Sequence, residues 1–378
     1  MTGSPRENAT RAVTLFLCGD VMTGRGIDQI LPHPSAPQLF EPYVHSALEY
    51  VELAERANGP IPRRVPSDYV WGDALAELAR VRPDARIVNL ETAVTVSEDA
   101  VPGKGIHYRM NPANAACLGA AALDCCVLAN NHVLDWGRAG LAETLATLHA
   151  AGLRSAGAGA EANEAAAPAV IELPGKRRVL VFAAATEDSG VPPRWAATGE
   201  RSGVNLLCDL SPRSVDAVAR QVRAHKRDGD LAVMSLHWGG NWDYAVSGAQ
   251  RAFARGLVES AGIDVVHGHS SHHVKGIEVY DHKPILYGCG DFLTDYEGIG
   301  GHEAYRPELA LMYFPTLDAA SGRLLRFAAT PTRMRRFRVE RARSADARWL
   351  RDTLNREGAK LGTRAELRPD DTLSLIWS

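Results

Sequence analysis

Asp20, Glu91, Asn131, His132, His237, His269 and His272 are the residues whose types could do chemistry together. Nearly all of them follow directly on an apolar run. Carboxylates, imidazoles and an amide oxygen suit borderline-hard divalent ions such as Mn, Fe or Zn, and the lack of clustered thiolates argues against structural zinc. Two such ions about 3.5–4 Å apart clamp an oxyanion and generate hydroxide near neutral pH. Each residue alone has a plainer reading. Asp20 could cap a helix or turn, Glu91 could sit in a solvated loop, and Asn131 could occupy a left-handed turn position. A lone His132 or His237 is more often a hydrogen-bonded structural residue than a ligand. Their recurrence at strand ends is what counts, because α/β sheets bind ligands beyond the carboxyl ends of their strands.

The densest local signal is Val265-Val266-His267-Gly268-His269-Ser270-Ser271-His272-His273, read as a short strand at 265–266 followed by a histidine-rich loop at 267–273. Gly268 lets the backbone turn so that several imidazoles aim at one point. For substrate contacts the candidates are Arg25 and Arg109, whose guanidinium groups bind phosphate or carboxylate through paired hydrogen bonds. Trp238, Trp242 and Tyr244 flank His237 and are candidates for a pocket wall, with ordinary packing as the alternative. Lys104 is a weaker candidate. Arg335, Arg336, Arg338, Arg341 and Arg343 alternate with Phe337 and Val339, the pattern of a half-exposed strand.

Positioning these residues requires strands that end where they lie. Strands are expected at 13–18, 86–90, 125–128, 179–184 and 231–236, with neighbouring strands at 276–280 and 284–287. Further strand candidates follow at 310–314, 324–329 and 333–339. Helices are expected around 43–57, 71–79, 111–121, 138–151, 211–227, 250–261 and 345–357. Alternation of the two over most of the chain predicts a layered α/β architecture. The long connection at 31–66 reads as a substrate-facing excursion or an insertion. The triplets Cys18-Gly19-Asp20 and Cys289-Gly290-Asp291 echo each other, but three residues match too easily by chance to build on.

Composition sets the bounds. At 378 residues the chain can bury a large core, and 46% hydrophobic with 23% charged residues is the balance of a folded globular protein. A formal net charge of -3 gives no basis for a nucleic-acid partner. An anionic small-molecule substrate would be drawn by local charge and metal ions. The first apolar run is too short for a membrane span, so no membrane partner and a cytoplasmic location are expected. The six cysteines fit neither a zinc knuckle nor a disulfide framework.

Several segments together resemble the CapA family, the poly-γ-glutamate capsule synthesis proteins. They are Gly19-Asp20-Val21-Met22, Asn89-Leu90-Glu91-Thr92 and Leu128-Ala129-Asn130-Asn131-His132-Val133-Leu134-Asp135. Further on come His237-Trp238-Gly239 with Tyr244, Gly268-His269-Ser270-Ser271-His272, and Lys283-Pro284-Ile285-Leu286-Tyr287 running to Gly290-Asp291-Phe292. They fall in the family's order over roughly residues 13–293. That family is similar to the calcineurin-like metallophosphatases, which implies a metallophosphatase-like sandwich of two packed β-sheets flanked by helices. The domain would span 13–340, with a candidate insertion at 31–80, between a polar tail at 1–12 and a charged helix and tail at 341–378.

The resemblance also implies a site built around two divalent ions, Mn, Fe or Zn. Asp20 and His272 would ligate the first ion, Asn131, His237 and His269 the second, and Glu91 would bridge them. His132 would be the proton donor, oriented by Asp135. Met22 stands where the metallophosphatase motif has a histidine. A thioether is a poor ligand for a hard ion, so the first metal is expected to be weak, differently ligated or absent. Asp291 stands where the family motif usually has asparagine and could add a ligand or sit in a polar turn, with the turn the favoured reading. The implied activity is hydrolysis of a small-molecule phosphoester in a biosynthetic pathway. Amide or γ-glutamyl chemistry is the second reading, and a non-catalytic assembly protein with a vestigial metal pocket the third.

Overall fold

The computed structural model describes residues 12–378, so the polar tail assigned to 1–12 lies, apart from Ala12, outside the described residues. The chain opens with β1 (Ala12–Val21), whose near-continuous apolar run is buried on both faces, as a strand between two layers requires. Helices Arg25–Ile30, Ala47–Asn58 and Asp73–Val81 fill the passage to β2 (Ala85–Leu90). Ser46 and Glu49 form a capping box that starts the second of these helices. Next come β3 (Cys125–Val127), helix Gly137–Ala150 and β4 (Arg154–Ala156).

The chain then lays down β5 (Ala169–Leu173), β6 (Arg177–Ala185), helix Pro212–His225, β7 (Leu231–His237), helix Gly248–Ala261 and β8 (Val265–His269). After these follow β9 (Ile277–Tyr280), β10 (Lys283–Leu286), β11 (Asp291–Leu293), β12 (Leu309–Asp318), β13 (Leu324–Met334) and β14 (Val339–Arg341). Helix Ser344–Gly358, β15 (Thr363–Leu367) and β16 (Leu373–Trp377) complete the described chain.

These strands form two principal sheets. The first runs β15-β16-β13-β12-β1-β2-β3-β4, with β11 beside β1 and β14 beside β13; the second runs β9-β10-β8-β7-β6-β5. β1, β2, β3 and β4 are mutually parallel, as are β6, β7, β8 and β10, so each sheet has a parallel centre. In the second sheet alternate residues face opposite ways. Val181, Val233 and Val265 join Leu17, Ile87 and Val127 in a core between the sheets. Phe182, Met234 and Val266 pack instead with Val218 and Phe253 from the helices behind. Each such fully buried side chain contributes about 1.5–3 kcal/mol. The fold is thus a mixed α/β sandwich flanked by helices, as expected.

Three local expectations are corrected. Residues 333–339 are not one strand. The chain reverses through Arg336 and Phe337, at φ 55° and 54°, and paired backbone bonds between Arg335 and Arg338 close the turn. Burial of the Phe337 ring holds this unusual backbone in place. Beyond 340 the expected charged helix is present at Ser344–Gly358, but the residues after it are not a tail, because β15 and β16 extend the first sheet through β13. The stretch 111–121 forms only a short 3-10 turn at Pro112–Asn114 and a helix at Ala116–Ala120. Among the described residues, no helix is long and apolar enough to cross a membrane.

Candidate metal centre

The carboxyl ends of the parallel strands meet where the two sheets adjoin. β1 ends in Asp20-Val21, β2 leads into Glu91, and β3 leads into Asn130, Asn131 and His132; from the other sheet β7 ends in His237 and β8 in His269. β8 therefore extends through part of the expected histidine loop, and pairs His237 with His269 across the ladder. Asp20, His237 and His269 offer ligand atoms all within 4.8 Å of one another. Their Nδ1 atoms bring His237 and His269 within 2.8 Å of each other, and Asp20 Oδ1 lies 3.9 Å from His269 Nδ1. Glu91 Oε1 lies 3.8 Å from His237 Nε2 and 3.9 Å from His132 Nε2.

Two asparagines lace these groups together. Asn89 Nδ2 donates to Asp20 Oδ1 at 2.7 Å and to Glu91 Oε2 at 2.9 Å. Asn130 Nδ2 donates to Asn89 Oδ1 at 3.0 Å and to the Leu90 carbonyl at 2.9 Å. Asn130 Oδ1 in turn accepts the backbone N–H of His132 and Val133. Asn131, the residue singled out from the sequence, points its Oδ1 into a buried position where it has no hydrogen-bond partner among the described residues.

His132 and His272 are each held by a carboxylate. His132 Nδ1–H donates to Asp135 Oδ2 at 2.7 Å, leaving Nε2 turned toward Glu91. Asp135 also accepts the Tyr108 N–H at 2.6 Å and meets Lys104 Nζ at 2.5 Å. His272 Nδ1 lies 2.9 and 3.1 Å from the two oxygens of Asp291. Asp291 is therefore not a turn residue. It sits on β11 as the Cα partner of Asp20, close enough to grip His272. Met22 is fully buried, and the Tyr296 hydroxyl approaches its sulfur at 3.7 Å.

Electrostatics set this centre apart. Burial first, then Asp291, pushes the Asp20 carboxyl well above the ordinary range. Burial and the Asp20 charge do the same to Glu91. Burial, then Lys104, pushes His132 down to about 4. Burial also works against a charge on Asp135 and on His272, yet Lys104 and His132 hold Asp135 low while Asp291 holds His272 high. Buried carboxylates crowded together without enough cations disfavour their own charge. A divalent ion relieves that. Asp20 Oδ2, like Asn131 Oδ1, is buried without a hydrogen bond among the described residues. Free oxygens beside two facing imidazole nitrogens fit a borderline-hard cation.

The residues expected to contact substrate have partners of their own. Arg25 is buried, with its guanidinium bonded to Glu41 at 2.8 Å and to Asp295 at 2.6 and 3.1 Å, between the rings of Tyr50 and Tyr108. Arg109 lies over Trp136 and donates to the Ser97 and Ala36 carbonyls. Trp238 stacks on Tyr287 in the core behind the second sheet. Tyr244 packs on His273 beneath Arg356. Packing and internal pairing occupy all four. Of the three aromatics expected beside His237, Trp242 does reach the centre, its ring 5.2 Å from His272 and stacked 3.7 Å from His302, and Tyr108 and Tyr296 join it at 4.7 Å from His132 and 5.4 Å from His272. His302 and Tyr296 also line a cavity of about 350 Å³, together with Thr294, Arg306 and Arg333.

Comparison with known proteins agrees with this arrangement of motifs. A family model described as bacterial capsule synthesis protein PGA_cap matches residues 14–296. A probable polyglutamine synthesis accessory protein of Mycobacterium tuberculosis (strain CDC 1551 / Oshkosh) is 49% identical over 377 residues, which cover 100% of this chain and 98% of that protein. The PGA biosynthesis protein CapA of Bacillus subtilis (strain 168) is 27% identical over 283 residues, covering 73% of this chain and 62% of that protein. The capsule biosynthesis protein CapA of Bacillus anthracis is 24% identical over 296 residues, covering 77% and 61%. With the family's model spanning most of its length and a relative aligned from end to end, the chain belongs to the bacterial capsule synthesis protein PGA_cap family.

Proposed function

We propose that this chain is a metal-dependent hydrolase acting on a small anionic substrate, a phosphoester in the first instance. The observation that carries the reading is the convergence of Asp20, Glu91, His132, His237 and His269 from two sheets on one buried point. Asp20, His237 and His269 would hold a divalent ion of Mn, Fe or Zn type, and Glu91, Asn131 and His272 are the donors available to a second. Such ions supply Lewis acidity and an activated water at neutral pH.

The chain's own residues do the rest. Asn89 and Asn130 fix the carboxylates. His132 is neutral at rest, and an anionic group arriving beside its Nε2 favours protonation there, which equips it to protonate a leaving group. Trp242 and His302 form an aromatic wall beside His272. The adjoining cavity has room for the remainder of a small substrate.

Two further readings remain in play. The names of the relatives favour a role accessory to poly-glutamate synthesis, in which γ-glutamyl amide bonds are the alternative target. Met22 at the first-metal position favours a non-catalytic assembly protein with an altered pocket. The test is metal analysis of the purified protein with assays on p-nitrophenyl phosphate, bis-p-nitrophenyl phosphate and γ-glutamyl-p-nitroanilide. Stoichiometric metal, with phosphoester turnover lost in His132→Ala, is the expected result. Metal-free protein with no turnover of any probe would leave the assembly reading.

A further inference from the structure

We propose that Ser235 and His267 are positioning residues that keep the proton of His269 on Nε2 and so turn its Nδ1 lone pair toward the ion-binding point. This inference rests on the metal centre proposed above. It starts from an atom that cannot donate: the carbonyl oxygen of Cys18, which lies 2.7 Å from His267 Nε2. That nitrogen must therefore carry a hydrogen. No carboxylate contacts His267 among the described residues, and a buried imidazolium without one is costly, so the ring is neutral and its Nδ1 is bare.

The rest follows by counting hydrogens. Ser235 Oγ lies 3.0 Å from His267 Nδ1 and donates its single hydrogen there. The same oxygen lies 2.9 Å from His269 Nε2. Having spent its hydrogen, it can only accept, so His269 Nε2 carries the proton and His269 Nδ1 is left bare. That bare nitrogen is the one that faces His237 Nδ1 at 2.8 Å and Asp20 Oδ1 at 3.9 Å. The reverse pattern would set a bare His267 Nε2 against the Cys18 carbonyl, acceptor against acceptor. Among the described residues nothing offsets that repulsion.

Strand geometry builds the relay. Ser235 pairs with His267 and His237 with His269 on neighbouring strands β7 and β8, so period-two spacing sets all four side chains on one face. Cys18 belongs to β1 in the other sheet. The relay thus runs across the contact between the sheets, and all of its members are fully buried. A metal-binding histidine whose second nitrogen is held in this way has a fixed tautomer and ring angle.

The experiment titrates Zn(II) into Ser235→Ala, Ser235→Thr, His267→Leu and His267→Gln against a chromogenic chelator, and reads histidine protonation of the wild type by 15N NMR. Removing the relay with Ser235→Ala or His267→Leu is expected to weaken zinc binding about 10- to 100-fold. Ser235→Thr keeps the hydroxyl, and the side-chain amide in His267→Gln still offers a donor for the Cys18 carbonyl and an acceptor for Ser235. Both conservative variants should stay within about threefold of wild type, which separates the relay from a general folding defect. Wild-type affinity in Ser235→Ala, or a wild-type His269 protonated on Nδ1, would overturn the inference. If the wild type takes no zinc, the metal reading fails by itself and the NMR result still decides: a proton on His269 Nε2 upholds the relay, and one on Nδ1 ends it.

Discussion

Lys104 Nζ lies 2.5 Å from Asp135 Oδ1, and this contact supplies the cation that a fully buried carboxylate needs. The ammonium group also donates to the Ile106 carbonyl at 3.0 Å and stands 3.0 Å from His132 Nδ1. Asp135 can then stay ionised and hold the His132 proton on Nδ1. Lys104→Met strips that charge from a half-buried lysine paired with a fully buried carboxylate, a loss of up to about 3–5 kcal/mol in such settings. Lys104→Arg should recover most of it. Turnover, where measured, should fall about 10- to 100-fold in the Met variant with little change in KM. Unchanged melting and unchanged turnover in Lys104→Met would remove Lys104 from this role.

Metal removal gives a second test. Binding to the folded state alone stabilises by about 2.7 kcal/mol when the free ion is at 100 times its Kd. Dialysis against a chelator should therefore lower Tm by several degrees, and Mn or Zn should restore it. His237→Ala removes one of the three clustered donors, so its Tm should respond much less. Equal melting of the wild type in chelator and in metal would argue that no ion is held.

Much of this site was readable because its chemistry sits where apolar runs stop. Asp20, Glu91, His132, His237 and His269 each follow from that rule, since strand ends in a parallel layer share one edge. The partners of the arginines were not readable, because an arginine near a motif carries no sign of its partner. Arg25 finds Asp295, 270 residues away, and no local pattern announces such a pair. Asn89 and Asn130 were hidden by more conspicuous neighbours. Asp291 did have a signal. The echo of Cys18-Gly19-Asp20 in Cys289-Gly290-Asp291 marks two segments that lie side by side, with Asp20 N–H bonded to the Gly290 carbonyl at 2.9 Å. The pairing is a tertiary fact, and three matching residues could not establish it.

Asp291 is accordingly predicted to matter through His272. In Asp291→Ala the imidazole loses its only hydrogen-bonding carboxylate among the described residues and is free to rotate. Metal affinity measured by chelator competition should drop about 10- to 100-fold, with Asp291→Asn intermediate. An Asp291→Ala protein that binds metal like the wild type would leave His272 outside the metal centre.

The close approach of β1 to β11 depends on Gly19. A methyl group there would sit 1.6 Å from the Gly290 carbonyl oxygen, so the backbone must move. Overpacking of this kind costs about 1–3 kcal/mol or more, and the displaced strand carries Asp20. Gly119 gives a control, because a methyl group there meets nothing within 4 Å. Denaturant unfolding should show Gly19→Ala clearly destabilised, while Gly119→Ala, inside a helix, gains up to about 1 kcal/mol. Equal stability of the two variants would mean that β1 and β11 have slack.

The last prediction concerns acid. Glu278 on β9 is buried and accepts from Arg251 at 3.0 Å, from Arg255, and from the Tyr287 hydroxyl at 2.6 Å, tying helix Gly248–Ala261 to the second sheet. Burial opposes its charge, but the two arginines and Tyr287 outweigh burial and lower its pKa below the ordinary value of 4.5. The unfolded chain therefore takes up this proton at higher pH than the folded one. The stabilisation is complete at neutral pH and fades as pH falls from about 4.5 through the lowered folded-state value. Both arginines are about a third exposed, so solvent screening keeps the contribution toward the lower part of about 1–3 kcal/mol. Glu278→Gln should lose that amount at neutral pH. The gap between wild type and variant, followed by urea unfolding, should narrow steadily below about pH 4.5. A gap that stays constant into acid would show that shape, and not charge, is what Glu278 contributes.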